Sequence, residues 1–177
     1  MFLNRRSARA LSVSATLAGL IALTGPALAQ DGAKAAMKDA KGQDVGTVML
    51  SEPDKGVTLK LSLKGLPSGE KAFHIHETGK CEPPFKSAGD HYNPTGAKHG
   101  KEADGGPHAG DMENLKVGDD GTVSLTVVNE MVTLKKGEKT SVFDEDGSAI
   151  IVHAKADDYK SQPSGDAGDR IACGVIQ

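Results

Sequence analysis

The chain has 177 residues and a formal net charge of −3, from 21 basic and 24 acidic side chains. This length suits one domain of ordinary size with a single core, and an acidic balance argues against nucleic acid as a partner. After the first thirty residues no apolar run is long enough to cross a membrane, so we expect no membrane association in the processed form.

The first thirty residues differ in composition from the rest of the chain. Three arginines lie within the first nine residues, residues 10–23 are mostly apolar, and an Ala-Leu-Ala sequence follows shortly after. This pattern is typical of a secretory signal peptide, and its apolar run is too short for a membrane anchor. We therefore expect a signal peptide over residues 1–29, a mature domain over residues 30–177 and a periplasmic location. The adjacent Arg5 and Arg6 leave both the general and the twin-arginine export routes open.

Several segments of the predicted mature domain alternate apolar and polar residues, which is the pattern of a half-buried strand. In the clearest of them, residues 57, 59, 61 and 63 are apolar and the residues between them are polar. Residues 35–37 have helical propensity without an amphipathic pattern, and we do not predict a helix there. The pattern predicts strands over residues 45–50, 57–63, 71–77, 121–128, 148–154 and 170–176.

Two long stretches have no periodicity. Residues 78–114, the histidine loop, are rich in glycine, proline, lysine and aspartate, and residues 155–169, the C-terminal loop, are also irregular. A loop of more than thirty residues in a compact domain needs something to order it, and bound metal can supply that order. About eight short strands with long loops and no convincing amphipathic helix predict an antiparallel all-β sandwich or barrel.

Both cysteines, Cys81 and Cys173, lie in the predicted mature domain. An even pair in an exported chain is typical of a disulfide, because the compartment beyond the inner membrane is oxidising. Two buried free thiols are the alternative. The bridge would tie the histidine loop to the C-terminal segment.

Five of the six histidines lie between Phe73 and Asp111. Imidazole nitrogen suits copper and zinc, and a carboxylate added to histidines suits zinc. Such a density predicts a metal site rather than scattered surface residues.

One group of these residues has the composition of a structural zinc site. Intervals of eight, nine and three residues separate His91, His99, His108 and Asp111. Three histidines and one aspartate complete a tetrahedral zinc shell without a vacancy. A zinc ion held in this way cannot itself bind substrate.

A catalytic role then falls to a second metal. His74 and His76 lie on one face of a predicted strand, at a separation that one ion can bridge. Copper is the first-row ion that prefers several imidazoles in a nearly planar arrangement. His153 ends an apolar run, where it suits either a ligand or an ordinary core or edge histidine, and the pattern alone leaves both open.

Taken together, these motifs resemble the copper-zinc superoxide dismutases, in their exported bacterial form. The resemblance covers essentially the whole predicted mature domain, and the loop spacing of eight, nine and three agrees with that of the family. The motifs that carry it are residues 73–76, 89–94, 98–100, 107–111, 152–158 and 170–176.

The resemblance implies an eight-stranded antiparallel Greek-key barrel or sandwich with one copper and one zinc ion per subunit. It implies that His91 bridges the two metals as an imidazolate. The implied copper ligands are His74, His76, His91 and His153, and the implied zinc ligands are His91, His99, His108 and Asp111.

Other roles are implied in the same way. Asp157 resembles the carboxylate that links a copper histidine to a zinc histidine, the alternative being a solvated aspartate. Arg170 resembles the arginine that attracts and orients superoxide, and Cys81 and Cys173 match the family's disulfide.

The implied activity is dismutation of superoxide to dioxygen and hydrogen peroxide, with His91 supplying one proton. The alternative is a periplasmic copper- and zinc-binding protein without turnover. Removal of the leader takes away three arginines and no acid, leaving 18 basic and 24 acidic side chains and a net charge of −6. A local positive field must therefore attract the anion, and Lys98, Lys101 and Lys160 are candidates beside Arg170. Whether the chain is a monomer or a homodimer stays open.

Overall fold

The structure is a computed structural model that describes residue 1 and residues 32–177. The predicted signal peptide lies outside the described residues apart from residue 1. Nine strands and a short 3-10 turn at Lys86–Ala88 make up the regular structure of the described part. The strands are β1 (Ala33–Asp39), β2 (Asp44–Ser51), β3 (Val57–Leu63), β4 (Gly69–Lys71), β5 (Phe73–His76), β6 (Leu115–Val117), β7 (Val123–Asn129), β8 (Ala149–His153) and β9 (Arg170–Val175).

The strands form one curled antiparallel sheet and a small second one. The large sheet has the order β5-β8-β9-β1-β2-β3-β7, and β4 pairs with β6. Only Ala72 separates β4 from β5, because its N–H and C=O bond to Lys155 and His153 rather than to a ladder partner. Counted as one interrupted strand, they bring the total to eight and confirm the predicted antiparallel all-β barrel.

Alternation along the strands builds the core. In β3 the apolar residues are buried against the interior, while the polar residues between them are partly or fully exposed. β8 differs, since all five of its residues are buried. Its outer face carries Ala149 and Ile151, which pack with Phe85, Ala88 and Cys173 in a second small cluster. The histidine loop therefore covers β8 from outside.

Two details differ from the sequence pattern. Residues 33–39 form β1, whose Ala33, Ala35 and Met37 point into the core, so tertiary pairing with β2 and β9 overrides local helical propensity. β6, a three-residue strand, was not predicted because so short a segment carries no readable period. Within the described residues no helix reaches the length and apolar character that crossing a bilayer requires.

Candidate metal centre

Three histidines come from the strands β5 and β8, which are antiparallel neighbours. Phe73 pairs with Val152 and His76 with Ala149. Because side chains alternate across a strand, His74 and His76 lie on the face opposite Phe73, outside the main core. His153 is the last residue of β8. All three imidazoles are buried, so the loops must cover them.

The histidine loop returns twice along β5, which is an edge strand of the sheet. Isolated antiparallel bridges join His76 to His91 and His74 to Asp111. Between them, Ile75 donates its N–H to Gly110 and accepts one from Tyr92. A side chain at Gly110 would overlap the Ile75 carbonyl oxygen, so glycine is required at this close approach. The edge strand thus brings loop ligands beside strand ligands.

The first donor group consists of His74, His76, His91 and His153, whose ligand atoms all lie within 4.8 Å of one another. The Nδ1 atom of His76 donates to the Gly89 carbonyl at 3.0 Å, and that of His153 faces the Gly168 carbonyl at 3.4 Å. Their Nε2 atoms then present lone pairs to each other at 3.4 Å. Two facing lone pairs repel unless a cation lies between them.

Two further nitrogen atoms of this group have no hydrogen-bond partner among the described residues. They are His74 Nδ1 and His91 Nε2, and both are buried. A buried polar atom without a partner costs free energy comparable to a lost hydrogen bond. Four imidazoles that leave their lone pairs free toward one point fit a copper ion.

The second donor group consists of His91, His99, His108 and Asp111, again within 4.8 Å of one another. Three Nδ1 atoms surround the single oxygen Oδ1 of Asp111, at 2.8 Å from His91, 3.1 Å from His99 and 3.3 Å from His108. The other oxygen, Oδ2, accepts the N–H groups of Gly100 and His108. Three nitrogens and one oxygen fit a tetrahedral zinc ion.

His91 belongs to both groups through opposite ring atoms. Its Nδ1 atom faces Asp111, and its Nε2 atom lies with the strand histidines, where the ring centroids of His91 and His74 are 4.0 Å apart. One imidazole is therefore placed to be a ligand of two ions at once.

Asp157, in the C-terminal loop, lies between one histidine of each group. Its Oδ2 atom accepts from His74 Nε2 at 2.9 Å and its Oδ1 atom from His99 Nε2 at 3.0 Å. Its side chain is fully buried. These bonds place the protons of both rings on Nε2 and leave Nδ1 free to bind metal.

Burial sets the protonation of the rings. It lowers the pKa of His91 to about 4 and that of His153 to about 3, the neighbouring His74 acting in the same direction. Both are therefore neutral ligands at pH 7. Burial also acts to lower the pKa of His99, but hydrogen bonds to Asp111 and Asp157 outweigh it and raise this pKa to about 9. The second group thus holds a positive charge, from a proton or a metal ion.

Arg170 stands beside the first group. It lines a cleft of about 480 Å³ together with His91, His108 and His153. Its Nη1 and Nη2 atoms each donate at 2.7 Å, to the carbonyl groups of Phe85 and Gly89. The guanidinium group is held by the segment that follows Cys81.

The disulfide Cys81–Cys173, predicted from the sequence, is present, with 5.7 Å between the Cα atoms. It joins the histidine loop to β9, three residues beyond Arg170. The bridge therefore fixes the segment whose carbonyl groups hold the arginine.

The three lysines suggested by the sequence do not line the cleft. Lys101 pairs with Glu113 and lies 4.1 Å from the centroid of the Tyr159 ring. Lys41 and Lys86 instead line an adjoining cavity of about 910 Å³ that shares Arg170 with the cleft. No sequence spacing distinguishes these lysines from other solvated ones.

Sequence reasoning also missed the groups that hold the site in place. They act through backbone atoms and carboxamides: the Gly89 and Phe85 carbonyls, Asn114 and Gln162. A backbone contact leaves no signature in a single sequence. Only the folded chain identifies them.

Known proteins of one family resemble this chain over most of its length. Residues 45–176 match the family model described as copper/zinc superoxide dismutase. The chain is 51% identical over 168 residues to superoxide dismutase [Cu-Zn] 2 of Aquifex aeolicus, and the matched region covers 93% of this chain and 98% of that protein. It is 43% identical over 148 residues to superoxide dismutase [Cu-Zn] of Caulobacter vibrioides, covering 82% and 85%.

Solved structures resemble it as well. The crystal structure of a superoxide dismutase-like protein from Bacillus subtilis has a TM-score of 0.79 at 41% identity, covering 81% of this chain and 97% of that one. The Cu/Zn superoxide dismutase from Brucella abortus has a TM-score of 0.67 at 34% identity, covering 83% and 100%. The chain belongs to the copper/zinc superoxide dismutase family.

Proposed function

We propose that this chain binds copper through His74, His76, His91 and His153 and zinc through His91, His99, His108 and Asp111. With both metals it is a superoxide dismutase, an oxidoreductase that converts superoxide to dioxygen and hydrogen peroxide. The observation that carries the residue assignment is the His91 ring, which offers one nitrogen atom to each donor group.

When bound, copper supplies the one-electron redox couple that the reaction needs, and the chain's own residues orient the substrate and the protons. Arg170 attracts the superoxide anion into the cleft and orients it, since guanidinium is a permanent cation with several donors. Glu77 and Asp90 also line the cleft and oppose this attraction, so the position of Arg170 matters more than net charge.

His91 is the proton carrier in this proposal. Its Nε2 atom lies with the strand histidines, and its Nδ1 atom stays on the side of Asp111. When Nε2 is free it can hold a proton, which it gives to the reduced oxygen species, and water supplies the second proton of hydrogen peroxide.

The zinc-binding group has a structural role. Three nitrogens and one oxygen complete its shell, which leaves no place for substrate. Its ligands span residues 91–111 of the histidine loop, so a zinc ion here would order that loop.

The remaining proposals concern the whole protein. We expect residues 1–29 to be removed as a signal peptide and residues 30–177 to work in the periplasm, which suits the Cys81–Cys173 disulfide. We expect neither nucleic acid nor membrane as a partner of the processed chain. Mass spectrometry of periplasmic protein tests the cleavage site, and sedimentation velocity decides between a monomer and a homodimer.

The direct test of the function is metal analysis of purified protein together with a dismutation assay before and after chelation. One copper and one zinc per chain, with activity restored by copper, support the proposal. His153→Ala is expected to lose copper and activity. Ser164→Ala changes the same cleft without removing a metal ligand and is expected to keep both. Full activity of His153→Ala would refute copper catalysis at this site. Full metal content without turnover would leave a metal-binding protein.

A further inference from the structure

Gln162, in the C-terminal loop, makes an unusual pair of contacts with the backbone of His99. Its Oε1 atom accepts the His99 N–H at 2.9 Å, and its Nε2 atom donates to the His99 carbonyl at 2.9 Å. The same Nε2 atom also donates to the Lys160 carbonyl at 2.9 Å. One carboxamide therefore holds both backbone groups of a residue 63 positions away in sequence.

His99 depends on these contacts. It is fully buried and lies in the histidine loop outside any strand. Among the described residues, no other backbone hydrogen bond is made by its N–H or its C=O. Without Gln162 both groups would be buried and unpaired, so the backbone of His99 would have to move toward water.

A reciprocal contact lies on the other side of the same pair of loops. Asn114, at the end of the histidine loop, accepts the Asp157 N–H at 2.8 Å and donates to the Asp157 carbonyl at 2.9 Å. His99 and Asp157 are themselves joined by the bond between Nε2 and Oδ1. Gln162 of the C-terminal loop therefore holds the backbone of His99, and Asn114 of the histidine loop holds the backbone of Asp157. The side chains of His99 and Asp157 form the bond between the two loops.

The two loops pack without room for adjustment at this point. A side chain at Gly165 would overlap the Asp157 carboxylate and approach His99 Nε2, and one at Gly100 would overlap the Tyr159 carbonyl. Both glycines also have a positive φ, 69° at Gly165 and 89° at Gly100, which other residues adopt only with strain. The position of the His99 ring is therefore set by the C-terminal loop as much as by its own loop.

We propose that Gln162 is a positioning residue for the zinc-binding group: it fixes the backbone of His99 so that Nδ1 of that ring points at the ion. The inference rests on the proposed zinc site and extends it to a residue of the C-terminal loop that binds no metal. In consequence, zinc retention depends on the closure of the C-terminal loop over the histidine loop.

The test compares Gln162→Met, which keeps the length of the side chain and loses all three hydrogen bonds, two of them to His99, with the wild-type protein. Metal-free protein is titrated with Zn²⁺ against a chromophoric chelator. Copper-loaded protein is then titrated with Co²⁺, whose visible absorption reports the geometry of the zinc-binding group. The matched control is Thr133→Val, which removes a partly buried hydrogen bond to Glu52, and neither of these residues belongs to a donor group.

We expect Gln162→Met to raise the zinc dissociation constant by roughly 10-fold to 100-fold, as loss of partners that orient a ligand commonly does. We also expect its cobalt absorption to weaken and shift. Thr133→Val should lower the thermal midpoint while leaving zinc affinity within about twofold of wild type, since the hydrogen bond that it removes contacts neither donor group. A general loss of stability would not change the cobalt spectrum.

Wild-type zinc affinity and an unchanged cobalt spectrum in Gln162→Met would overturn the inference and leave the proposed function intact. Failure of the wild-type protein to bind Zn²⁺ would instead overturn the proposed zinc site. Gln162→Glu keeps the acceptor for the His99 N–H and loses the donor to its carbonyl, so an intermediate affinity is expected. This variant decides the question if Gln162→Met does not fold, and wild-type behaviour in it would count against the inference.

Discussion

Replacement of Asp157 by asparagine tests the link between the two donor groups. The aspartate accepts one hydrogen bond from His74 and one from His99, and its Oδ1 atom also accepts the Tyr159 N–H at 2.6 Å. An asparagine has the same shape but turns one acceptor into a donor. The Tyr159 N–H keeps the amide oxygen at the Oδ1 position, so the amide nitrogen faces His74, and His99 keeps an acceptor that no longer carries a charge.

Both metals are expected to bind less tightly, copper through His74 and zinc through His99. His74 is held by the ladder of β5 and β8, whereas the His99 ring is held by contacts between loops. A hydrogen bond to a charged group contributes about 1.5–3 kcal/mol to stability. Replacing this charged acceptor of His99 by a neutral one removes part of that contribution and predicts a zinc dissociation constant raised roughly 10-fold.

The assay is a competition titration of metal-free protein with Zn²⁺, followed by copper and zinc analysis after dialysis. The control is Asp158→Asn, because the neighbouring carboxylate is exposed and, within residues 32–177, bonds only to Lys160 and Ser161. We expect this control to bind zinc within about twofold of wild type. If Asp157→Asn binds zinc as tightly as the control, the carboxylate does not orient His99 and the reasoning is refuted.

Three further predictions concern stability and substrate capture. Cys81→Ser removes a disulfide across a sequence separation of 92 residues, and urea unfolding is expected to show a free energy of unfolding lowered by roughly 3–5 kcal/mol. A decrease below about 1 kcal/mol would contradict this prediction. Burial raises the pKa of Tyr92 to about 12, so the folded state keeps a proton that the unfolded state loses above pH 10. The free energy of unfolding therefore falls by on the order of 2 kcal/mol between pH 10 and pH 12. In Tyr92→Phe this part of the decline is expected to be absent when unfolding is measured across the same range. Arg170→Gln is expected to lower the second-order rate constant for superoxide about tenfold or more at unchanged metal content, and Arg170→Lys is expected to give an intermediate rate constant. Equal rate constants for Arg170→Gln and wild type in pulse radiolysis would exclude capture of superoxide by this group.

The sequence determined the class of fold and the chemistry of the donors. Period-two alternation predicted β3 and β7, because a strand with one buried face must alternate, and short apolar segments predicted β2, β8 and β9, all within a residue or two. The spacing of the histidines and Asp111 indicated metal, because few other functions need so many imidazoles together. The disulfide followed from the number of cysteines and the predicted export signal.

The tertiary structure decided which groups hold those donors in place. β1 became a strand through pairing with β2 and β9, against its local propensity. The contacts of Gln162 with His99 and of Arg170 with two carbonyl groups join residues more than sixty positions apart. The physical reason is that periodicity and residue type are local properties of a chain. A hydrogen bond to a distant backbone atom depends on the path of both segments, and only folding brings those paths together.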